Sequence, residues 1–282
     1  MSAERMVVDG ASGNWHADGP MLNDRSTAAL GKLRIPDASA GRALLRTAID
    51  RARGEGRGAL LAPLDGDTWH TYRVVTETDG SPPFFMEPAS GPHDLEALEA
   101  EGFEPVAHYL STVAPLDSAI GAPARPVDGV TVSQWDGSDA DALVRDLFGL
   151  SSHAFSGNPF FKPIDFAAFS AIYRPLVPLL DPRHVLFARD DEGALVGYLF
   201  ATPNPMERVE GPTVILKTYA ATRRGVGFLL ADTFHRRARD MGFQSVIHAL
   251  MHENNVSRER SGQHGARVFR RYALMAHRLG SS

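Results

Sequence analysis

The chain has 282 residues, is 43% hydrophobic and 22% charged, and carries a formal net charge of −5 with no cysteine. That is the composition of a folded protein long enough for one large or two ordinary domains. It excludes disulfides, thiolate zinc sites and a cysteine nucleophile, and its acidity argues against general nucleic-acid binding. No window approaches the roughly eighteen uninterrupted apolar residues of a spanning helix, and the start, Met1-Ser-Ala-Glu-Arg-Met-Val-Val-Asp, lacks a signal-peptide pattern. Cytoplasmic residence without a membrane partner is therefore expected. The eleven histidines show no metal-ligand spacing, so no metal is expected.

In chain order, Met6-Val-Val suggests an edge strand, and 28–35 reads as a strand followed by a turn over 36–41. A helix then places Leu44, Leu45, Ala48, Ile49 and Ala52 on one face, with Gly54 near its end. A buried strand over 58–64 runs into the turn Asp65-Gly66-Asp67. Trp69, His70 and Tyr72 suit either aromatic packing with hydrogen-bonded tips or a polar-aromatic pocket. Residues 82–88 read as a rigid apolar strand or turn, 93–101 as a helix and 106–113 as a strand. Pro115, Gly121, Pro123 and Pro126 then mark a linker over 114–128. Beyond it come a strand over 130–134, a helix over 139–148 capped by Ser138 or Asp139, a loop over 151–162 and a helix over 165–173. Two strands over 183–201 form a hairpin about Asp190-Asp191-Glu192-Gly193.

The most informative stretch is 213–272. A strand at 213–220 leads to the turn Arg223-Arg224-Gly225-Val226-Gly227, which opens a helix with Leu230, Phe234, Ala238 and Met241 on one face; a strand follows at 245–251. Glycines at a helix start let backbone amides approach a ligand, and the helix dipole favours negative charge there, so this turn is a candidate phosphate or pyrophosphate cradle. The basic run His235-Arg236-Arg237 with Arg239 reads as a solvated helix face. Residues 28–64 repeat the order of 213–250 as strand, turn, helix, glycine, strand, with Gly41 set against Gly227 and Gly56 against Gly242; 93–113 matches 255–275 as helix, glycine, strand. Two similar domains are expected, the first having lost most of the Arg/Gly turn and with it any cofactor binding.

The hairpin 183–201, the strand 213–220, the turn Arg223–Gly227, the helix to Met241, the strand 245–251 and then Asn254-x-x-Ser257 together resemble the GNAT superfamily of CoA-dependent N-acyltransferases, in its tandem bacterial form. The resemblance spans most of 128–279 and, more faintly, 22–113. It implies an α/β (α+β) architecture of two such domains, 1–113 and 129–282 about the linker 114–128. Each would be a mixed, mostly antiparallel sheet flanked by helices, with a V-shaped splay between the central strands of the second. It also implies acetyl-CoA, or another acyl-CoA, as co-substrate. The pyrophosphate would sit on Arg223, Arg224, Gly225, Val226, Gly227 and Phe228, and the pantetheine arm along Leu216, Thr218, Tyr219 and Ala220, helped by Asn254 and Ser257. Thr222 stands where the family has Arg or Gln, and Ser261 where a Tyr often protonates the leaving thiolate.

The implied activity is transfer of an acyl group, most simply acetyl, to the amine of a small molecule in a ternary complex. A degenerate acyl-CoA-binding module, or a transferase using a longer acyl-CoA or aminoacyl-tRNA, is the alternative. Homodimerisation is left open. A base must take the amine proton, and Glu253, His252 and His248 are the candidates, with Ser261 a weak acid for the thiolate. Phe155, Asn158, Phe160 and Phe161 lie where the family shapes its acceptor pocket. Arg267, Arg270 and Arg271 suit either the CoA 3′-phosphate or surface ion pairs.

Overall fold

The computed structural model describes residues 3–206, 212–254 and 265–280. In chain order the elements are β1 (Glu4–Val8), β2 (Ala11–His16), β3 (Thr27–Arg34), α1 (Ala38–Gly54), β4 (Ala59–Ala62), β5 (Val74–Thr78), α2 (Asp94–Ala100) and β6 (Glu104–Pro115). Then follow α3 (Leu116–Ala119), β7 (Val130–Gln134), α4 (Ala140–Ala154), α5 (Phe166–Tyr173), β8 (Val185–Asp190), β9 (Leu195–Pro203), β10 (Thr213–Ala221), α6 (Val226–Asp240), β11 (Ser245–His252) and β12 (Arg267–Arg278). No helix among the described residues is long and apolar enough to cross a membrane. The chain divides into two compact units, the first comprising Met1–Leu110, Asn158–Lys162 and Arg270–Ser282, the second Ser111–Gly157 and Pro163–Phe269.

Each unit is built on a strand–helix–strand crossover. In the first, β3 and β4 pair in parallel, Thr27 opposite Ala59; in the second, β10 and β11 pair in parallel, Thr213 opposite Ser245. The offsets, 59 − 27 and 245 − 213, are both 32. Antiparallel strands extend each crossover: β1–β2–β3 in the first unit and β7–β8–β9–β10 in the second. The two crossover helices also end alike. Gly56 (φ 68°) and Gly242 (φ 92°) adopt the left-handed conformation that glycine accepts freely, and the next amides, Arg57 N and Phe243 N, reach back to Ala52 O and Ala238 O. The repeat expected from 28–64 and 213–250 is thus present in pairing offset and in helix termination.

Apolar periodicity explains which faces are covered. Helix α1 buries Leu44, Leu45, Ala48, Ile49 and Ala52 against Leu30, Leu60 and Ala62. Helix α6 buries Val226, Leu230, Phe234 and Ala238 against Val214, Leu216, Val246 and Leu199, with Met241 at the edge. Asp139 supplies the cap of α4 through its carboxylate to Ala142 N at 2.9 Å, and that helix runs six residues beyond the expected 148, to Ala154.

Several expectations need correction. β12 was expected in the second domain, but it pairs with β4 (Met275 opposite Ala62) and with β5 (Ala273 opposite Val74), so 270–282 belong to the first unit, as do residues 158–162. The last residues of β6 belong to the second unit, where the Ser111 hydroxyl accepts from Leu250 N at 3.0 Å. Structure continues into the expected linker, since β6 reaches Pro115 and α3 buries Leu116 and Ala119 in the second core. Of the strand or turn expected over 82–88, the turn is what forms. Gly41 keeps the register of Gly227, since 213 − 27, 245 − 59, 242 − 56 and 227 − 41 are all 186, but the two glycines do not play the same part. The first i to i−4 bonds, Gly41 N to Asp37 O and Leu229 N to Gly225 O, show that α1 starts two residues earlier than α6 in this register, so Gly41 lies inside its helix and not at the opening turn. Gly41 instead permits close packing, because a Cβ there would lie 2.9 Å from Ala97 Cβ on α2 and 2.6 Å from Ile35 Cγ2. The expected match of 93–113 to 255–275 falls partly outside the described residues.

Gly31 in β3 faces backbone. A Cβ there would lie 2.4 Å from Asp65 Cα and 2.5 Å from Asp65 N, whereas one at Gly54 on α1 would meet nothing within 4 Å. Gly31→Ala is therefore expected to cost at least about 1–3 kcal/mol by overpacking against main chain. Gly54→Ala should be neutral or stabilising by up to about 1 kcal/mol through helix propensity. Urea denaturation of the two variants reads both values.

Candidate active site

The second unit carries the arrangement that the turn at 223–227 predicts. β10 and β11 stay in parallel register only from Thr213/Ser245 to Leu216/His248. Past that point β10 continues on β9, with Thr218, Tyr219 and Ala220 opposite Phe200, Leu199 and Tyr198, after an irregularity between Leu216 and Thr218. On β11 the backbone turns left-handed at Leu250 (φ 58°). The two central strands therefore part after Leu216, leaving the β11-facing edge of 217–221 beside a gap.

The N-terminus of α6 stands at the end of this gap. Gly225 is its N-cap, with φ 87° and no side chain to cap the helix. Val226 N bonds weakly back to Arg223 O at 3.3 Å, and the first helical bond comes only from Leu229 N, so the amides of Gly227 and Phe228 precede it. A Cβ on Gly227 would touch Tyr219 Cε2 at 3.4 Å, so the ring of Tyr219 floors the turn. Thr222 is tied to β9 through its amide (3.0 Å) and hydroxyl (3.3 Å) to Val196 O. Arg223 donates to Asp128 O at 2.9 Å. Exposed Arg224 makes no hydrogen bond or ion pair among the described residues, which leaves its guanidinium available to an anion.

The first unit supplies the internal control. There the equivalent cap is Asp37, whose carboxylate accepts from Ala40 N at 2.9 Å. A carboxylate at that place stabilises the helix and repels a phosphate, whereas Gly225 leaves the dipole and amides of α6 to a guest.

Among the candidate bases, His248 is held on both ring nitrogens, with Nδ1 3.4 Å from Thr112 Oγ1 and Nε2 3.1 Å from His235 Nε2. Its partner His235 is buried, which corrects the reading of 235–239 as wholly solvated; Arg236 next to it pairs with Asp232 at 3.0 Å. His252 Nδ1 accepts from Asn254 N at 3.2 Å, which places the proton of the neutral ring on Nε2 and makes that nitrogen a donor. The left-handed Leu250 interrupts the strand alternation that would otherwise put His248 and His252 on one face. Glu253 follows directly, half-buried in the turn after β11. Ser257 and Ser261 lie outside the described residues.

The remaining candidates separate. Phe155 ends α4 in the second unit, whereas Asn158, Phe160 and Phe161 fall in the first, where Phe161 packs edge-on against Trp69 at 5.8 Å and Trp69 Nε1 donates to Lys162 O at 2.9 Å. Arg270 is buried against Glu87 at 2.9 Å and Arg271 meets Glu77 at 3.1 Å, so ion pairing within the first unit accounts for both. Sequence reading missed Tyr198. Burial pushes its phenol up to about 12, opposed by a hydrogen bond with Ser151 at 3.0 Å, and no local pattern marks that pair.

No family model and no curated protein matches the chain. Solved structures do. A tandem GNAT protein from the clavulanic acid biosynthesis pathway aligns with a TM-score of 0.55 at 17% identity over 96% of this chain and 80% of its own. A GCN5-related N-acetyltransferase from Sphaerobacter thermophilus gives 0.53 at 16% identity over 96% and 78%. Another from Kribbella flavida gives 0.50 at 15% over 95% and 57%. The fold of the chain is that of the GCN5-related N-acetyltransferases. The likeness to the tandem protein extends over nearly the whole chain.

The turn geometry separates its two glycines. Gly225→Ala should cost about 1–2 kcal/mol, because a side chain at φ 87° meets the left-handed penalty. Gly227→Ala, whose Cβ makes only an ordinary contact, should be neutral or slightly stabilising. Thermal or urea unfolding that ranks them the other way would contradict this cap geometry.

Proposed function

We propose that the protein is an acyl-CoA-dependent N-acyltransferase, with acetyl-CoA as donor and the amine of a small molecule as acceptor. The observation that carries this reading is the uncapped α6 N-terminus at Gly225, set at the end of the gap where β10 and β11 part. The fold shared with GCN5-related N-acetyltransferases supports it. In this reading the amides of Val226, Gly227 and Phe228 and the side chain of Arg224 hold the pyrophosphate, because helix-terminal amides and a guanidinium both favour phosphate oxygens. The pantetheine arm lies along the parted edge from Leu216 through Thr218, Tyr219 and Ala220, toward Asn254.

The neutral amine attacks the thioester carbonyl, a C–N bond forms, the C–S bond breaks, and the thiolate takes a proton as it leaves. Glu253 is the proposed base. His252, whose Nε2 carries the proton when Asn254 N occupies Nδ1, suits donation to the developing oxyanion. His248, already engaged by Thr112 and His235, positions the end of β11.

Thiol release from acetyl-CoA, measured across a panel of small primary amines, tests the assignment. The expected result is amine-dependent release, with Glu253→Gln lowering kcat by about a hundredfold while leaving KM for acetyl-CoA within a factor of about three. Binding of acetyl-CoA without release on any amine would favour a cofactor-binding module instead. Absence of binding would remove both readings.

A further inference from the structure

Arg73 in the first unit is a buried cation without an acid. The guanidinium is enclosed, with the residue 9% exposed, and its Nε has no hydrogen-bond partner. It donates to the Tyr72 hydroxyl, and its Cζ stacks 4.0 Å from the Tyr72 ring centroid and 3.9 Å from that of Tyr109. Ring faces attract a cation but do not neutralise it. Arg73 makes no ion pair among the described residues. The buried Arg270 of the same unit does, with Glu87 at 2.9 Å. An unpaired charge in such a place is expensive, and proteins keep one where something else completes it. The backbone agrees: Arg73 holds φ 87°, anchored by its amide to Pro63 O at 3.1 Å. A bulky residue in that conformation is retained where its side chain must be aimed.

Arg73 lines a cavity of about 450 Å³ together with Arg5, Asn14, Lys32, Arg34 and Asp94. Lys32 is satisfied by Asp65 Oδ2 at 3.0 Å, whereas Arg5 and Arg34, on the exposed rim, make no ion pair among the described residues. Asp94 is the acid on this wall. Its Oδ2 accepts from Gly91 N at 2.8 Å, its Oδ1 has no hydrogen-bond partner among the described residues, and burial raises its pKa. The cavity is thus lined by three arginines that make no ion pair among the described residues, one of them buried, and has a volume suited to a small metabolite.

We propose that this cavity of the first unit binds a small organic anion, a carboxylate or a phosphate ester, whose charged group completes the buried guanidinium of Arg73. The site is independent of the α6 N-terminus, and it is not a second pyrophosphate cradle, because the α1 N-terminus is closed by Asp37.

Thermal unfolding and calorimetric titration of the full chain with succinate and with inorganic phosphate, at ionic strength matched by chloride, test the proposal. Either anion should raise Tm by several degrees. Succinate alone points to a carboxylate ligand, and phosphate alone to a phosphate ester. Arg73→Met should abolish the shift, and, freed of an unpaired charge, should match or exceed the parent Tm in anion-free buffer. The rim variants Arg5→Ala and Arg34→Ala, which do not touch the core, should each weaken binding by about tenfold and so keep the test readable if Arg73→Met does not fold. The proposal is overturned if neither anion binds, or if binding survives both Arg73→Met and the paired rim substitutions. It is equally overturned if Arg73→Met instead removes a second equivalent of bound CoA.

Discussion

The second unit depends on a parallel pair that stops early. β10 and β11 are held in register for four residues and then released, because β10 follows β9 past Leu216 while Leu250 turns β11 aside. A parallel pair must be joined by a crossover, and the crossover helix starts at the end of the first strand. The same short pairing that forms the core therefore opens a gap above it and sets the N-terminus of α6 at its mouth. Burial of Val226, Leu230, Phe234 and Ala238 seats that helix on the core of the second unit.

The first unit has the same crossover and the same pairing offset, and it differs at the helix cap. Asp37 accepts from Ala40 N at the start of α1, whereas Gly225 has no side chain to cap α6. A capping carboxylate and a bound anion would draw on the same amide donors, and the two units differ in the cap residue. The first has gained instead a buried cation at Arg73 beside its own cavity. One crossover architecture thus occurs twice with chemically different helix caps.

Much of this was legible in the sequence because it is local. The apolar spacing of α1 and α6, the glycines at 56 and 242 and the Arg/Gly turn each follow from short-range geometry, and together they exposed the repeat. What was hidden is tertiary. The apolar pattern of β12 specifies a buried strand but not which sheet edge it joins, and it completes the first unit. His248 looked like a free strand-end histidine until Thr112 and His235, far apart in sequence, met it from two sides. The left-handed conformations of Leu250 and Arg73 carry no residue signal, since neither is glycine, asparagine or aspartate. Gly41 holds the register of Gly227 but serves helix packing, and a glycine needed for packing and one needed at a turn read alike in sequence.

Calorimetric titration of CoA into the parent chain and into Gly225→Asp measures the central claim, that an uncapped α6 N-terminus is the nucleotide site and a carboxylate-capped α1 is not. The account predicts one equivalent bound by the parent and a loss of at least about a hundredfold in affinity for the variant, which reproduces at α6 the closure seen at Asp37. Two equivalents bound by the parent, or an affinity that Gly225→Asp leaves unchanged, would contradict it.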